Sequence, residues 1–341
     1  MSLRTRLTAA ATAAGLGLAL AACGGSDGAG AQAGDGGKQD VTLMLNWYPY
    51  GEHAPFYYGV QEGIFAKHGI NLTIKAGQGS TKTVQAVGGD KVDAGWADTP
   101  AVLANIDKGM PVKSVGVFLQ TTPSSVQVFK DSGITKPSDL KGKTIAVSAG
   151  DAPTVMFPTY LKKAGVDPAD VKTQNLDPAG KIAAVLSHKV DGLIGFAHDQ
   201  GPTIADKSGK AMTYLRYSDV GLNYYSTGLI LPTSTIDKNP TMVKDLVAAT
   251  SEAFEAAEKH PAEAVKAMAG KDPQMPAEPV LLEQWKQTMK LLHTDATQGK
   301  APGVDAMSDW KATIKLLADA GLIKEAKSPD TYFDDAAQPQ G

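Results

Sequence analysis

From residue 41 onward, short apolar runs rich in β-prone residues alternate with stretches of helical spacing. Residues 41–45 predict a strand, 55–68 a helix stopped by Gly69, and 70–75 a second strand with alternating faces. The turn Gly77-Gln78-Gly79-Ser80-Thr81 predicts entry into a helix that ends at Gly88-Gly89. Residues 92–97 read as a strand, and Thr99-Pro100 opens a helix closed by Gly109, with Thr99 as N-cap and Pro100 at the first position. Further strands are predicted at 112–119, 125–129, 144–148, 171–176, 191–196, 212–217 and 225–231, with helices at 153–164, 179–188 and 201–207. Repeated strand–helix units imply parallel sheets covered by helices on both faces. After Asp237 the pattern is helical only, at 240–259, 261–268, 278–292 and 304–320, and the residues from Ser328 read as a loosely held tail.

The pattern before residue 41 is different. Arg4 and Arg6 precede an uncharged apolar stretch, residues 7–22, which ends in Leu20-Ala21-Ala22-Cys23. This is the layout of a secretory signal peptide, too short and too poorly flanked for a permanent membrane span. Leu-Ala-Ala-Cys resembles the bacterial lipobox, in which the cysteine becomes the lipidated first residue. Cys23 is the only cysteine, so no disulfide forms within the chain and the thiol makes sense as an attachment point. The Gly-rich residues 24–38 cannot form a core and read as a flexible tether.

Two features of the body carry candidate chemistry. Trp47, Tyr50, Phe56, Tyr57 and Tyr58 crowd into residues 47–58, although the chain is only 6% aromatic. Pro49 and Gly51 make a turn here. Rings on a loop at a strand's C-terminal end form either one wall of a ligand cleft or a staple pinning the next helix. The second feature is an internal echo. Val92-Asp93 leading to Trp96-Ala97-Asp98 resembles Val190-Asp191 leading to Phe196-Ala197-His198-Asp199. It reads either as a generic strand–helix connection or as two similar lobes, each presenting an aromatic and a polar group at a strand end.

Composition narrows the classes. A chain of 341 residues with 43% apolar content and net charge −3 is long enough for about two domains and carries no electrostatic footprint for nucleic acid. The six histidines show no metal-ligand spacing, so no metal and no cofactor are expected. Arg216 is the only arginine beyond the leader, which disfavours arginine-clamped oxyanions.

The order and spacing of several motifs resemble a known family. Trp47-Tyr48-Pro49 with His53, Tyr57, Gly63, Phe65 and Gly69, then Gly77-Gln78-Gly79-Ser80, Asp139-Leu140-Lys141-Gly142-Lys143 with Ile145-Ala146-Val147, and Val190-Asp191-Gly192 are similar to the bilobed solute-binding proteins of ABC importers. The likeness is to the NitT/TauT-like branch, which covers thiamine-precursor pyrimidine, riboflavin, nitrate, taurine and alkanesulfonate binders. It implies an α/β, two-lobed, type II periplasmic-binding-protein fold, with two mixed sheets, flanking helices, two interlobe crossings and C-terminal helices. The expected divisions are a signal peptide at 1–22, a lipidated Cys23 and tether to 40, lobe one at 41–126 and 229–341, and lobe two at 127–228.

The resemblance implies a monomer held by lipid on Cys23 at the outer face of the cell membrane, capturing a small molecule between its lobes for an ABC permease. A planar heterocycle of the thiamine-pyrimidine type is the expected ligand, with riboflavin or a sulfonate, taurine or nitrate as alternatives. The chain departs from the pyrimidine binders at Asn46 and Tyr50, where they often carry an acid and an Asn. The expected cleft residues are Asn46, Trp47, Tyr50, His53, Tyr57, Ser80, Thr81, Trp96, Asp98, Thr99, Gly150, Asp151, Phe196, His198, Asp199 and Tyr225. Among these, Asp98 reads either as a helix cap or as a ligand contact, and Tyr57 as cleft or packing. Binding rather than chemistry is expected. A fungal pyrimidine synthase shares the family's fold, but it carries a Cys-rich motif that this chain lacks.

Overall fold

The computed structural model describes residues 37–339; the leader, Cys23 and most of the tether lie outside the described residues. The strands are β1 (Gln39–Met44), β2 (Ile70–Lys75), β3 (Ala94–Asp98), β4 (Val112–Val117), β5 (Ser124–Phe129), β6 (Thr144–Val147), β7 (Lys172–Asn175), β8 (Gly192–Phe196), β9 (Met212–Arg216) and β10 (Thr227–Pro232). The helices are α1 (Ala54–Gln61), α2 (Ile64–Lys67), α3 (Ser80–Gly88), α4 (Thr99–Ile106), α5 (Ala152–Lys163), α6 (Pro178–Leu186), α7 (Gln200–Ser208), α8 (Thr233–Lys238), α9 (Pro240–Lys259), α10 (Pro261–Lys266), α11 (Glu278–Thr288) and α12 (Met307–Asp319).

Two five-stranded mixed sheets result, ordered β2-β1-β3-β10-β4 and β7-β6-β8-β5-β9. They share one plan. Three parallel strands are followed by an antiparallel one, β10 in the first sheet and β5 in the second. Each antiparallel strand is the one the chain enters on arriving from the other sheet. The changes of sheet occupy 118–123 and 217–226, ahead of the positions expected from the sequence. The reason is that β5 pairs with β8 and β9 along its length and cannot be shared between lobes.

The apolar residues sort by face. One cluster fills the first lobe, where Phe56, Trp96, Phe118 and Phe254 pack with ring centroids 4.9–5.8 Å apart. A second cluster runs through both crossings, from Val117 and Val126 to Tyr217, Tyr224, Tyr225 and the α12 residues Trp310 and Ile314. The lobes are therefore joined by continuous hydrophobic packing along the crossings. A buried ring contributes roughly 1.5–3 kcal/mol.

Two expectations change. The helix expected over 55–68 is two helices, α1 and α2, because the chain turns at Glu62-Gly63 and so brings Ile64 and Phe65 into the core. The tail from Ser328 is not loose. Tyr332 and Phe333 are buried, Phe333 stacks on Trp310 at 4.9 Å, and Ser114 exchanges backbone hydrogen bonds with Tyr332 and Asp334.

Candidate functional site

The segment after β1 is stitched to the turn after β2. Leu45 N–H donates to Lys75 O (2.9 Å), Gly77 N–H to Trp47 O (2.9 Å), and Gly79 N–H to Asn46 O (2.7 Å). Position 77 requires glycine, because a Cβ there would lie 1.8 Å from Leu45 O. These bonds hold Asn46 and Trp47 at the C-terminal edge of the first sheet, facing the second lobe. The short helical turn Gly51–His53 follows directly.

Between the lobes lies a small cavity of about 20 Å³, lined by Asn46, Trp47, Tyr50, Gly79, Ser80, Asp151, Gly195, Phe196, Asp199 and Gln200. That is room for about one water, so a larger occupant requires the lobes to part. A wider cleft of about 740 Å³ is lined from both lobes by Tyr48, Gln78, Lys82, Ser148, Asn175 and Asp177 among others. Gly195 permits a close approach at the inner cavity: a Cβ there would sit 1.7 Å from Gln200 Oε1.

Buried acceptors dominate the electrostatics of this region. Burial pushes the Asp98 carboxyl up to about 8, although Ser226 Oγ donates to its Oδ1 at 2.5 Å. Burial raises Asp199 well above the usual carboxylate range; Lys181 opposes this, while the charges of Glu52 and Asp151 add to it. Burial also raises Asp151, against its ion pair with the Lys181 ammonium at 2.8 Å. Lys181 itself is buried, with its Nζ 5.2 Å from the centroid of the Trp47 ring. Gln127 Oε1 and Gln200 Oε1 are buried acceptors, Asp98 Oδ2 is a buried carboxyl oxygen and Trp47 Nε1 a buried donor, each without a partner among the described residues. Leaving such groups unpaired costs roughly 1–3 kcal/mol each, and two of the four, Trp47 and Gln200, line the inner cavity.

His53 is neutral here. Its Nδ1 accepts from Tyr50 N–H (3.3 Å), its Nε2 donates to Asn46 Oδ1 (2.8 Å), and burial lowers its pKa to about 4. It braces Asn46 from behind.

Of the residues expected from the sequence, Asn46, Trp47, Tyr50, Ser80, Asp151, Phe196 and Asp199 come together on the cavity. Thr81 and Gly150 meet across the lobes by a backbone bond, Thr81 N–H to Gly150 O at 3.3 Å. His198 points its Nε2 at Glu52 and lines a separate pocket of about 500 Å³ with Tyr214, Arg216 and Lys290. The remaining residues are not brought to the cavity. Trp96 lies fully buried in the first core, one strand repeat below the sheet's edge. Thr99 bonds the Ser226 carbonyl and starts α4. Tyr225 is wedged against Trp310, its hydroxyl accepting from Ala306 N–H at 2.9 Å. Tyr57 lines a groove on the first lobe with Val60, Leu72 and Ile74.

Several contributors were not singled out from the sequence. Glu52, Gln127, Lys181, Gln200 and Gln284 are fully or almost fully buried polar residues of the interlobe region. Their only sequence signal is a polar residue at an apolar-phase position, as in Gln127 among Val126, Val128 and Phe129. Tyr48 borders the wider cleft, and its place beside Trp47 could have marked it.

Two mixed sheets, two crossings and a cavity between lobes make this a periplasmic-binding-protein fold. The same fold is seen in the alkanesulfonate-binding protein SsuA from Xanthomonas axonopodis pv. citri, at TM-score 0.67 and 16% identity, over 87% of this chain and 98% of that one. A family model described as "NMT1/THI5 like" matches residues 51–264, and the chain belongs to that family. Its relatives include the formylaminopyrimidine-binding protein of Halalkalibacterium halodurans, 21% identical over 83% of this chain and 86% of the relative. The 4-amino-5-hydroxymethyl-2-methylpyrimidine phosphate synthase of Legionella pneumophila is 28% identical over 70% of this chain and 75% of its own. That relative corrects one expectation. A family that holds a named synthase beside binding proteins is mixed, so catalysis is not excluded by class, and the lack of a Cys-rich motif does not decide the matter.

Proposed function

We propose that the cleft captures a small planar heterocycle rich in N–H donors, of the aminopyrimidine type. The observation that carries this reading is the buried acceptor Gln200 Oε1, without a partner among the described residues, on the cavity wall that also holds the Trp47 ring. Amino groups and protonated ring nitrogens satisfy such an acceptor, and the indole offers a stacking face. A sulfonate or nitrate brings only acceptors. The buried cation nearest the cavity, Lys181, is already paired with Asp151, so an anion would face carboxylates. The formylaminopyrimidine binder among the relatives agrees with this chemistry.

In this reading the lobes are hinged at 118–123 and 217–226, lipid on Cys23 tethers the chain at the outer membrane face, and the closed form presents the ligand to an ABC permease. A thermal-shift screen of the protein against aminopyrimidines, flavins and sulfonates tests the ligand class. Aminopyrimidines raise the melting temperature. A shift with sulfonates or nitrate alone overturns the proposal.

A second reading follows from the Legionella synthase and from the buried Glu52–His198 pair close to the cavity: chemistry on a pyrimidine precursor. Release of a pyrimidine product by the purified protein, abolished by His198→Ala, is the result that favours it.

A further inference from the structure

Glu52 follows the cavity residue Tyr50 by two positions, yet its side chain lies outside the cavity lining and is fully buried. A buried carboxylate is tolerable only when donors surround it. Here Tyr50 Oη and His198 Nε2 donate to Oε2, the latter at 2.7 Å, and Trp96 Nε1 donates to Oε1 at 2.6 Å. Burial by itself would raise the Glu52 carboxyl. The hydrogen bond and charge of His198, with the Tyr50 hydroxyl, outweigh it and hold the carboxyl below its ordinary range.

The donors come from different bodies. Tyr50 and Trp96 belong to the first lobe, and each stays with Glu52 whatever the lobes do. His198 sits on the turn after β8, in the second sheet's half of the molecule. Its bond to Glu52 exists only when the lobes are together. A second bridge lies beside it. Gln284 Oε1 accepts from Gly51 N–H at 2.9 Å, while its Nε2 donates to Asp199 O at 2.8 Å. Neighbouring residues of the 51–53 turn are thus tied to neighbouring residues of the 197–199 turn.

We propose that Glu52 and His198 form an interlobe clasp: positioning residues that set how long the closed form persists without touching the ligand. The coupling runs through Tyr50. Its ring walls the cavity while its hydroxyl shares Oε2 with His198, so a ligand that fixes the ring also fixes the clasp's acceptor. The coupling to ligand rests on the reading of the cavity as the ligand site; the clasp itself does not.

Hydrogen exchange at the Thr81 amide reports closure, because its acceptor is Gly150 O on the other lobe. The full chain is measured alone and with 4-amino-5-hydroxymethyl-2-methylpyrimidine. His198→Ala and Glu52→Gln each speed Thr81 exchange about tenfold, the factor carried by about 1.4 kcal/mol, and shorten ligand residence by a similar factor. Amides of β1 and α9 keep their protection. The double variant is no worse than either single one, and His198→Gln, which keeps a neutral donor, recovers part of the loss. Exchange at Thr81 unmoved by His198→Ala, additive effects in the double variant, or a Thr81 amide unprotected in the wild type overturns the clasp. If Glu52→Gln does not fold, His198→Ala carries the test from the other lobe. Failure of the two ideas is separable. No binding of any heterocycle, with Thr81 still loosened by His198→Ala, sinks the functional reading and leaves the clasp; binding with Thr81 unmoved does the reverse.

Discussion

The corresponding strand ends of the two lobes are built differently. In the first lobe β3 runs straight into α4, Asp98 being followed at once by the first helical residue, Thr99. In the second lobe β8 ends at Phe196, and residues 197–199 intervene before α7 starts at Gln200. Register makes the equivalence explicit. Asp98 pairs with Thr227 on β10, and Phe196 pairs with Ser124 on β5. The structural counterpart of Phe196 is therefore Asp98, and that of Trp96 is Ile194. Two residues along a strand amount to roughly 6.5 Å. That depth separates an indole in the core from a phenyl ring on the cavity wall. The extra turn carries His198 and Asp199 out toward the first lobe, where one meets Glu52 and the other Gln284. One lobe presents a strand end; the other presents a strand end plus a reaching turn.

The largest expected effect breaks this comparison at its core. Trp96→Ala removes a fully buried ring and the Nε1 donor to Glu52. It should cost about 3–5 kcal/mol in urea unfolding, with any loss of binding explained by unfolded protein. Next is Asp98→Asn. The folded carboxyl stays protonated up to about 8, whereas the unfolded one ionises near 3.8. Wild-type stability therefore falls as pH rises through that window, by a few kcal/mol. The Asn variant should reduce this slope in urea melts taken between pH 5 and 8, leaving the shares of Asp305, which burial also pushes up to about 8, and of Asp199 and Asp151, which burial raises as well. An unchanged slope would place the ionisation elsewhere.

Phe196→Ala is the counterpart of the Trp96 test. It opens the cavity wall, so calorimetry should show affinity for an aminopyrimidine falling about tenfold, roughly 1.4 kcal/mol, with a smaller loss of stability than Trp96→Ala. Equal stability losses would mean that both rings are core. The smallest effect is expected at Tyr57. Tyr57→Ala should leave affinity within about twofold, less than 0.5 kcal/mol, because its ring lines the outer groove beside Val60 and Leu72. A clear loss of affinity would move it back to the cleft.

Much of this was legible in the sequence. The alternation of strand and helix gives the two sheets, because period and punctuation are local properties. Asn46, Trp47 and Tyr50 were recognisable as rings and an amide on a loop at a strand end, and they line the cavity. Gly77-Gln78-Gly79 was visible as a turn into a helix. It serves structure first, through its bonds to Asn46 and Trp47. The echo of Trp96 in Phe196 was real as a topological repeat and misleading as a side-chain alignment, since letters match at an offset that strand register does not share. Glu52, Gln127 and Gln284 stayed hidden because a single buried polar residue in an apolar stretch has no local signature. What pays for its burial is a partner up to 233 residues away, as with Gln284 and Gly51.

The sequence by itself determined most of the elements and their order, which follow from periodicity and turn chemistry along the chain, and its motifs carried the resemblance to a family. Tertiary structure decided which of the marked side chains face one another. Facing depends on strand register, on where the crossings fall and on how far a turn such as 197–199 reaches across a gap. Two positions of register sent Trp96 into the core and kept Phe196 at the cleft, and no property of either residue type could have told them apart.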